Sequence, residues 1–265
     1  MAKTLIQIYE VQELAEAEAL IALGVDHIGS VLLSCYSWKV ESIRKTVQTI
    51  KRSGVKSGLI PLFGDAQTVF QALDYYQPDF VHFCEAISIF SKSKATSQRE
   101  CDSFINLQEQ VKDRFPNIKI IRSLSVPKPG AARETEILDN ILSFTRQLAQ
   151  FSDYFLIDTI IDNQGAVHDQ PVTGFVGITG EVCDWTMAGE IIKQSPIPVI
   201  LAGGISDENV FEAIIKLRPS GVDSCTKTNA VDKEGKRIRF QKDLKKVKRM
   251  VEEARRADAA LAGAL

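Results

Sequence analysis

Eight times along a chain of 265 residues, a short apolar run gives way to a segment whose apolar residues recur at helical spacing. The runs show little polar alternation, which suits strands buried on both faces, as in a parallel sheet. Parallel neighbours must be joined by a crossover, and a helix is the usual one. Strands are expected at residues 4–9, 25–33, 55–63, 79–84, 118–126, 154–161, 197–202 and 222–226. Helices are expected at 13–23, 40–52, 66–76, within 85–117, and at 133–151, 185–194, 209–217 and 244–258. Gly24 and the Ser53-Gly54 pair supply helix ends, and Pro78 stops the third helix. Eight units in this length favour an α/β fold, a single (β/α)8 TIM barrel with residues 1–265 as one domain, over an open sheet.

Four stretches interrupt the rhythm. The connection at 85–117 is longer than one helix needs, and its polar part, Ser91–Glu100, reads as an exposed loop. A Gly- and Pro-containing loop covers 162–184, with glycines that would permit closure over a ligand, and another loop covers 227–243. The Ala-rich end, 259–265, is expected to fray.

Bulk properties remove several classes of function. The net charge is −2, which gives no electrostatic case for nucleic acid or an anionic membrane. The cluster Lys242, Lys245, Lys246, Lys248 and Arg249 reads as the solvated face of the last helix. No run reaches membrane-span length, and the first residues lack the apolar core of a signal peptide. Five cysteines without a Cys-x-x-Cys pair, and three scattered histidines, indicate neither a disulfide framework nor a metal site. Free thiols and a cytoplasmic location are expected, and no feature specifies an oligomeric state.

The seventh run ends in Leu201-Ala-Gly-Gly-Ile205, followed by Ser206, Asp207 and Asn209 at the start of a helix. Ser206 or Asp207 can cap that helix. Paired glycines let backbone N–H groups approach an anion, and a helix N-terminus favours negative charge. In a (β/α)8 barrel, ligands bind at the C-terminal strand ends, and phosphate commonly sits after strands seven and eight. Gly203 and Gly204 stand at the first of these places, and Cys225, Thr226 and Lys227 at the second. A phosphorylated small molecule is the expected partner.

These stretches resemble the phosphoribosylanthranilate isomerases of tryptophan biosynthesis. The resemblance rests on Leu201–Val210, on Gly-Val-Asp-Ser224, on Leu156-Ile-Asp158, on Gly177-Ile-Thr-Gly180 with Asp184-Trp185, and on Ala22-Leu-Gly-Val-Asp-His-Ile-Gly29. It implies a cofactor-free aldose–ketose (Amadori) isomerisation. A general acid protonates the sugar ring oxygen, and a general base takes the proton from C2. Asp158 matches the family's acid, and burial would raise its pKa. Gly180 falls in the matched loop and joins Gly203, Gly204, Thr226 and Lys227 as a phosphate contact.

The base is a departure. An ungapped count back from Gly24 puts Tyr9 at the family's cysteine and Glu10 at its glycine. Tyrosine is a poor base at neutral pH, so Tyr9 reads as a filling or hydrogen-bonding residue. Glu10 can serve only if the backbone turns it inward. Cys84 ends strand four facing inward with His82, either as a thiolate beside basic groups or as a small buried apolar residue, the reading preferred here. Lys39 is the nearest cation to the family's carboxylate-binding arginine, and Tyr36 and Trp38 either stack on an aromatic ligand or cover the core. Arg122 either lines the mouth or snorkels outward. The alternatives are a barrel isomerase acting on a different phosphorylated sugar, or a non-catalytic phosphate-ligand-binding protein.

Overall fold

The computed structural model describes residues 3–87, 89, 94–131, 134–161 and 173–263. His168 and the first part of the 162–184 loop, residues 162–172, lie outside them, and with them the expected closure. The strands are β1 (Leu5–Ile8), β2 (His27–Leu32), β3 (Lys56–Pro61), β4 (Phe80–Phe83), β5 (Lys119–Pro127), β6 (Tyr154–Ile160), β7 (Val199–Leu201) and β8 (Gly221–Ser224). They pair in sequence order, all parallel, and β8 closes on β1 with Leu5 opposite Gly221 and Ile8 opposite Ser224. The helices are α1 (Leu14–Ala22), α2 (Glu41–Ser53), α3 (Ala66–Tyr76), α4 (Lys94–Arg114), α5 (Glu134–Leu148), α6 (Trp185–Gln194), α7 (Val210–Leu217) and α8 (Leu244–Gly263). Among the described residues, no helix is long and apolar enough to cross a membrane.

Local chemistry sets the helix ends. Asp65 accepts the Thr68 N–H at 2.9 Å at the start of α3, and Asp184 accepts those of Thr186 and Met187 at the start of α6. Such caps contribute about 1 kcal/mol each. Gly54 ends α2 with φ 85°, the left-handed conformation that glycine adopts without a Cβ clash. Inside the ring, large side chains meet small ones. The Tyr9 ring lies where a Cβ on Gly29 would be, and the Phe80 ring lies over Gly58 in the same way.

Three segments depart from the sequence reading. Residues 94–100 are helical, the first turns of α4. Their polarity hides a buried stripe of Ser97, Cys101, Gln108 and Val111 at helical spacing. Residues 91–93 lie outside the described residues. The stretch after β8 is a hairpin, β9 (Asn229–Val231) and antiparallel β10 (Arg237–Lys242). Its turn is built by Asp232, whose Oδ1 accepts from the Glu234 and Lys236 N–H groups. Lys242 therefore leaves the expected solvated face. It is buried, with Nζ on Asn229 Oδ1 at 2.5 Å and on the Cys225 carbonyl at 3.0 Å. Finally, α8 runs on to Gly263 instead of fraying from 259. Asp258 holds this end to β1's entry by accepting from Thr4 Oγ1 at 2.6 Å, and Arg255 bonds both Asp258 and Asp26.

Candidate active site

The C-terminal strand ends frame one depression with two lobes. An apolar cleft of about 520 Å³ lies over strands β1 to β6. A polar seat of about 270 Å³ lies between the ends of β7 and β8. Asp158, Ile178, Asp223 and Cys225 line both.

The polar seat is backbone-built. Gly203 and Gly204 carry φ of 70° and 68°, and a Cβ on Gly204 would lie 2.8 Å from the Glu181 and Val182 backbone. The turn is tied from below. Asn209 donates Nδ2 to the Gly204 carbonyl at 3.0 Å and accepts the Ser206 N–H at 2.9 Å. Asp207 turns away to Arg249, and Ser206 Oγ accepts the Glu208 N–H, so neither caps α7 itself. Gly180, Thr226 and Lys227 complete the seat. Backbone amides, a hydroxyl and an ammonium in a left-handed turn form an anion site.

Two carboxyls meet where the lobes join. Asp158, near the end of β6, accepts the Thr159 N–H at 2.7 Å, and Gly177 is packed so closely on its Oδ2 that a Cβ has no room. Burial pushes its pKa up to about 6, against the pull of backbone N–H bonds from Thr159 and Gly203. Asp223, on β8, accepts from Gln7 Nε2 at 3.2 Å. Burial and then the charge of Asp158 push it up to about 8. Of the two, Asp223 is the carboxyl that keeps its proton near neutral pH. Asp223 escaped the sequence reading, although it alternates with Cys225 at the end of β8 and lies within the matched Gly-Val-Asp-Ser stretch.

The wall of β1 carries the third carboxyl. β1 ends at Ile8, and Glu10 takes φ 63°, so strand alternation no longer applies and Glu10 lines the same cleft as Tyr9. Glu10 is 1% exposed. Its Oε1 accepts from Arg239 Nε at 2.5 Å, while its Oε2 has no hydrogen-bond partner among the described residues. The loop residue Ile178 is also left-handed, with φ 64°. Non-glycine residues in this conformation cost about 1–3 kcal/mol each and cluster at functional sites.

Tyr9 is a buried filler whose ring lies 5.1 Å from that of His82, and burial raises its hydroxyl pKa well above the ordinary value. His82 is neutral, pushed down to about 3 by burial, with Nε2 2.8 Å from Ser123 Oγ. Burial also pushes the Cys84 thiol up, so the thiolate alternative fails and the apolar reading fits.

Two expected site residues are elsewhere. Arg122 is fully buried outside the ring, between β5 and α4, with Nη1 on Glu85 at 3.0 Å, Nε on Gln108 at 2.8 Å and its plane over Phe104. Its strand position faces the helix layer, so it neither lines the mouth nor snorkels. Lys39 is exposed and sits 4.9 Å from the centre of the Tyr75 ring, beside Trp38, which packs edge-on against the same ring. Tyr36 is 97% exposed. None of these lines the cleft.

Comparison with known proteins gives the family and the fold. Residues 121–253, half of the chain, match the family model of N-(5'-phosphoribosyl)anthranilate (PRA) isomerase. The chain is 37% identical over 123 residues to N-(5'-phosphoribosyl)anthranilate isomerase 2 of Methanosarcina mazei, covering 46% of this chain and 44% of the relative. It is 34% identical over 140 residues to the Methanosarcina acetivorans isomerase, covering 52% of each. These matches thus span about half the length of the relatives. In fold, the chain is similar to the Pyrococcus furiosus isomerase, with TM-score 0.65 and 21% identity over 96% of this chain and 99% of that one. It is similar too to an isomerase solved with reduced 1-(o-carboxyphenylamino)-1-deoxyribulose 5-phosphate, with TM-score 0.64 and 17% identity over 95% and 98% of the two chains. A closed eight-stranded ring, a glycine-built anion seat and a buried aspartate at the end of β6 accompany a family match across β5 to α8: the chain belongs to the N-(5'-phosphoribosyl)anthranilate isomerase family.

Proposed function

We propose that this chain catalyses the Amadori isomerisation of N-(5'-phosphoribosyl)anthranilate, a step of tryptophan biosynthesis, with Asp158 as general acid and Glu10 as general base. The observation that carries the reading is the placement of Asp158 and Glu10 on one cleft that opens onto a phosphate seat. The seat would hold the 5'-phosphate on the Gly203-Gly204 turn, Thr226 and Lys227. The sugar would then lie over the junction of the lobes, within reach of Asp158.

Proton inventory supports the division of labour. Burial raises the pKa of Asp158 to about 6, so a protonated fraction persists near neutral pH for the ring oxygen, beside Asp223, which stays protonated. As the C1–O bond breaks, the amine lone pair forms the C1=N bond. Glu10, held by Arg239, then takes the C2 proton through its unbonded Oε2. The C2–H electrons become the C1=C2 bond while the C1=N π electrons return to nitrogen, and proton transfer from O2 to C1 then leaves the ketose. Holding acid and base around one substrate removes the entropic cost of their encounter.

A second reading is favoured by the charge of the cleft. It is lined by Glu10, Asp158 and Asp223 and by no Lys or Arg among the described residues. A phosphoribosyl amine whose other half lacks a carboxylate would suit this lining. The deciding experiment is a fluorescence assay of phosphoribosylanthranilate consumption by wild type, Asp158→Asn and Glu10→Gln. Turnover by wild type and its loss in both variants supports the first reading. Absence of turnover by folded wild-type protein removes it.

A further inference from the structure

The β9–β10 hairpin stands outside the eight-stranded ring, yet it is fixed to the site. Arg239 bonds Glu10, and Lys242 anchors the second strand to the Cys225 carbonyl and Asn229. Two residues before Arg239, Arg237 lies beside Gly180, at the edge of the phosphate seat. A Cβ on Gly180 would lie 3.0 Å from Arg237 Nη1 and 3.1 Å from Thr226 Cγ2. Gly180 and Thr226 both line that seat.

The charge balance at this rim is uneven. Lys128, 2.9 Å from the Glu181 carboxylate, is the main cause of that group's lowered pKa, and Lys227 and Arg237 add to it. Three cations thus act on one carboxylate. The Arg237 side chain makes no hydrogen bond or ion pair among the described residues, while its backbone pairs with Val231. The Lys227 ammonium and the Gly203-Gly204 turn line one small space, and the Arg237 guanidinium stands at its edge against Gly180. Guanidinium geometry suits two oxygens of one phosphoryl group.

We propose that Arg237, carried on the hairpin, is a phosphate-binding residue that closes the outer side of the seat over a phosphomonoester dianion. The proposal rests on the phosphate seat of the reading above and not on the isomerisation itself.

The test is calorimetric titration with inorganic phosphate and, separately, ribose 5-phosphate. The proteins are wild type, Arg237→Gln, Arg237→Lys and, as a control on the same hairpin, Lys236→Ala. Arg237→Gln should weaken both ligands about tenfold or more, since a charge-assisted contact is lost. Arg237→Lys should lie between, and Lys236→Ala should match wild type. In steady-state assays, Arg237→Gln should raise KM and leave kcat near wild type. Equal phosphate affinity in Arg237→Gln and wild type overturns the proposal, as does a loss of kcat at unchanged KM. Wild type that binds phosphate through Arg237 but does not turn over phosphoribosylanthranilate would keep the proposal and remove the isomerase reading. Circular dichroism and thermal unfolding of each variant exclude a folding defect, because Arg237 is exposed.

Discussion

Glu10 and Arg239 meet at the barrel mouth through a 2.5 Å bond between residues 229 positions apart. The glutamate is buried and left-handed, two conditions that each disfavour it. The guanidinium offsets both by supplying the charge partner that burial requires. The pair explains how a residue that strand alternation points outward comes to face the substrate cleft.

If Glu10 is the base, Glu10→Gln should lower kcat about a hundred- to ten-thousand-fold with little change in KM. The amide keeps the shape and can still accept from Arg239, so thermal stability should fall little. A variant that retains wild-type kcat would assign the base elsewhere.

Asp223 sets a pH dependence of stability. Its pKa is raised in the folded state, to about 8, so the folded protein keeps a proton that the unfolded chain releases near pH 4. The contribution is present in full below about pH 4, falls as pH rises, and is gone above about 8. Wild type should therefore lose stability relative to Asp223→Asn between those limits, with a slope of up to about 1.4 kcal/mol per pH unit. Urea unfolding of both proteins across the range reads the difference directly. Parallel curves would refute the shift.

Gly177, with φ 106°, has no room for a methyl group beside Asp158 Oδ2. Gly177→Ala should push the carboxyl aside and cost about 1–3 kcal/mol in stability through its positive φ. Activity should fall by more than that loss of folded protein explains, as measured at a temperature where the variant is fully folded.

Arg122 offers the opposite pattern. Arg122→Ala removes one partner from a buried network with Glu85 and Gln108, which should destabilise the protein by about 3–5 kcal/mol. Its distance from the mouth predicts kcat/KM close to wild type at low temperature. A selective loss of substrate affinity would return it to the site.

The barrel was legible because burial on both strand faces leaves a continuous apolar signature, and helix ends announce themselves through Gly24, Gly54 and Pro78. The left-handed turn at Gly203 and Gly204 was legible for a similar reason, since a glycine pair after β7 is a local signal. Local signals fail where partners are distant. Nothing near Lys39 or Arg122 says which way the side chain points, and a charge on β5 looks alike whether it faces a ligand or α4. Asp223 was in plain view in a matched stretch, but its significance depends on Asp158, two strands away in the ring. The hairpin was hidden by its polarity. Its Asp232–Gly235 turn and the alternation Arg237-Ile-Arg-Phe240 are the signals that mark it.

Closure of the ring has a consequence for how the chain comes to be made. β1 finds one neighbour, β2, almost at once, but its other neighbour is β8, and Leu5 reaches its partner Gly221 only after most of the chain exists. Until then β1 presents a row of unpaired backbone groups, the kind of edge that recruits strands from other molecules. A nascent or truncated chain that stops before Gly221 should therefore self-associate, and refolding yield should fall as protein concentration rises.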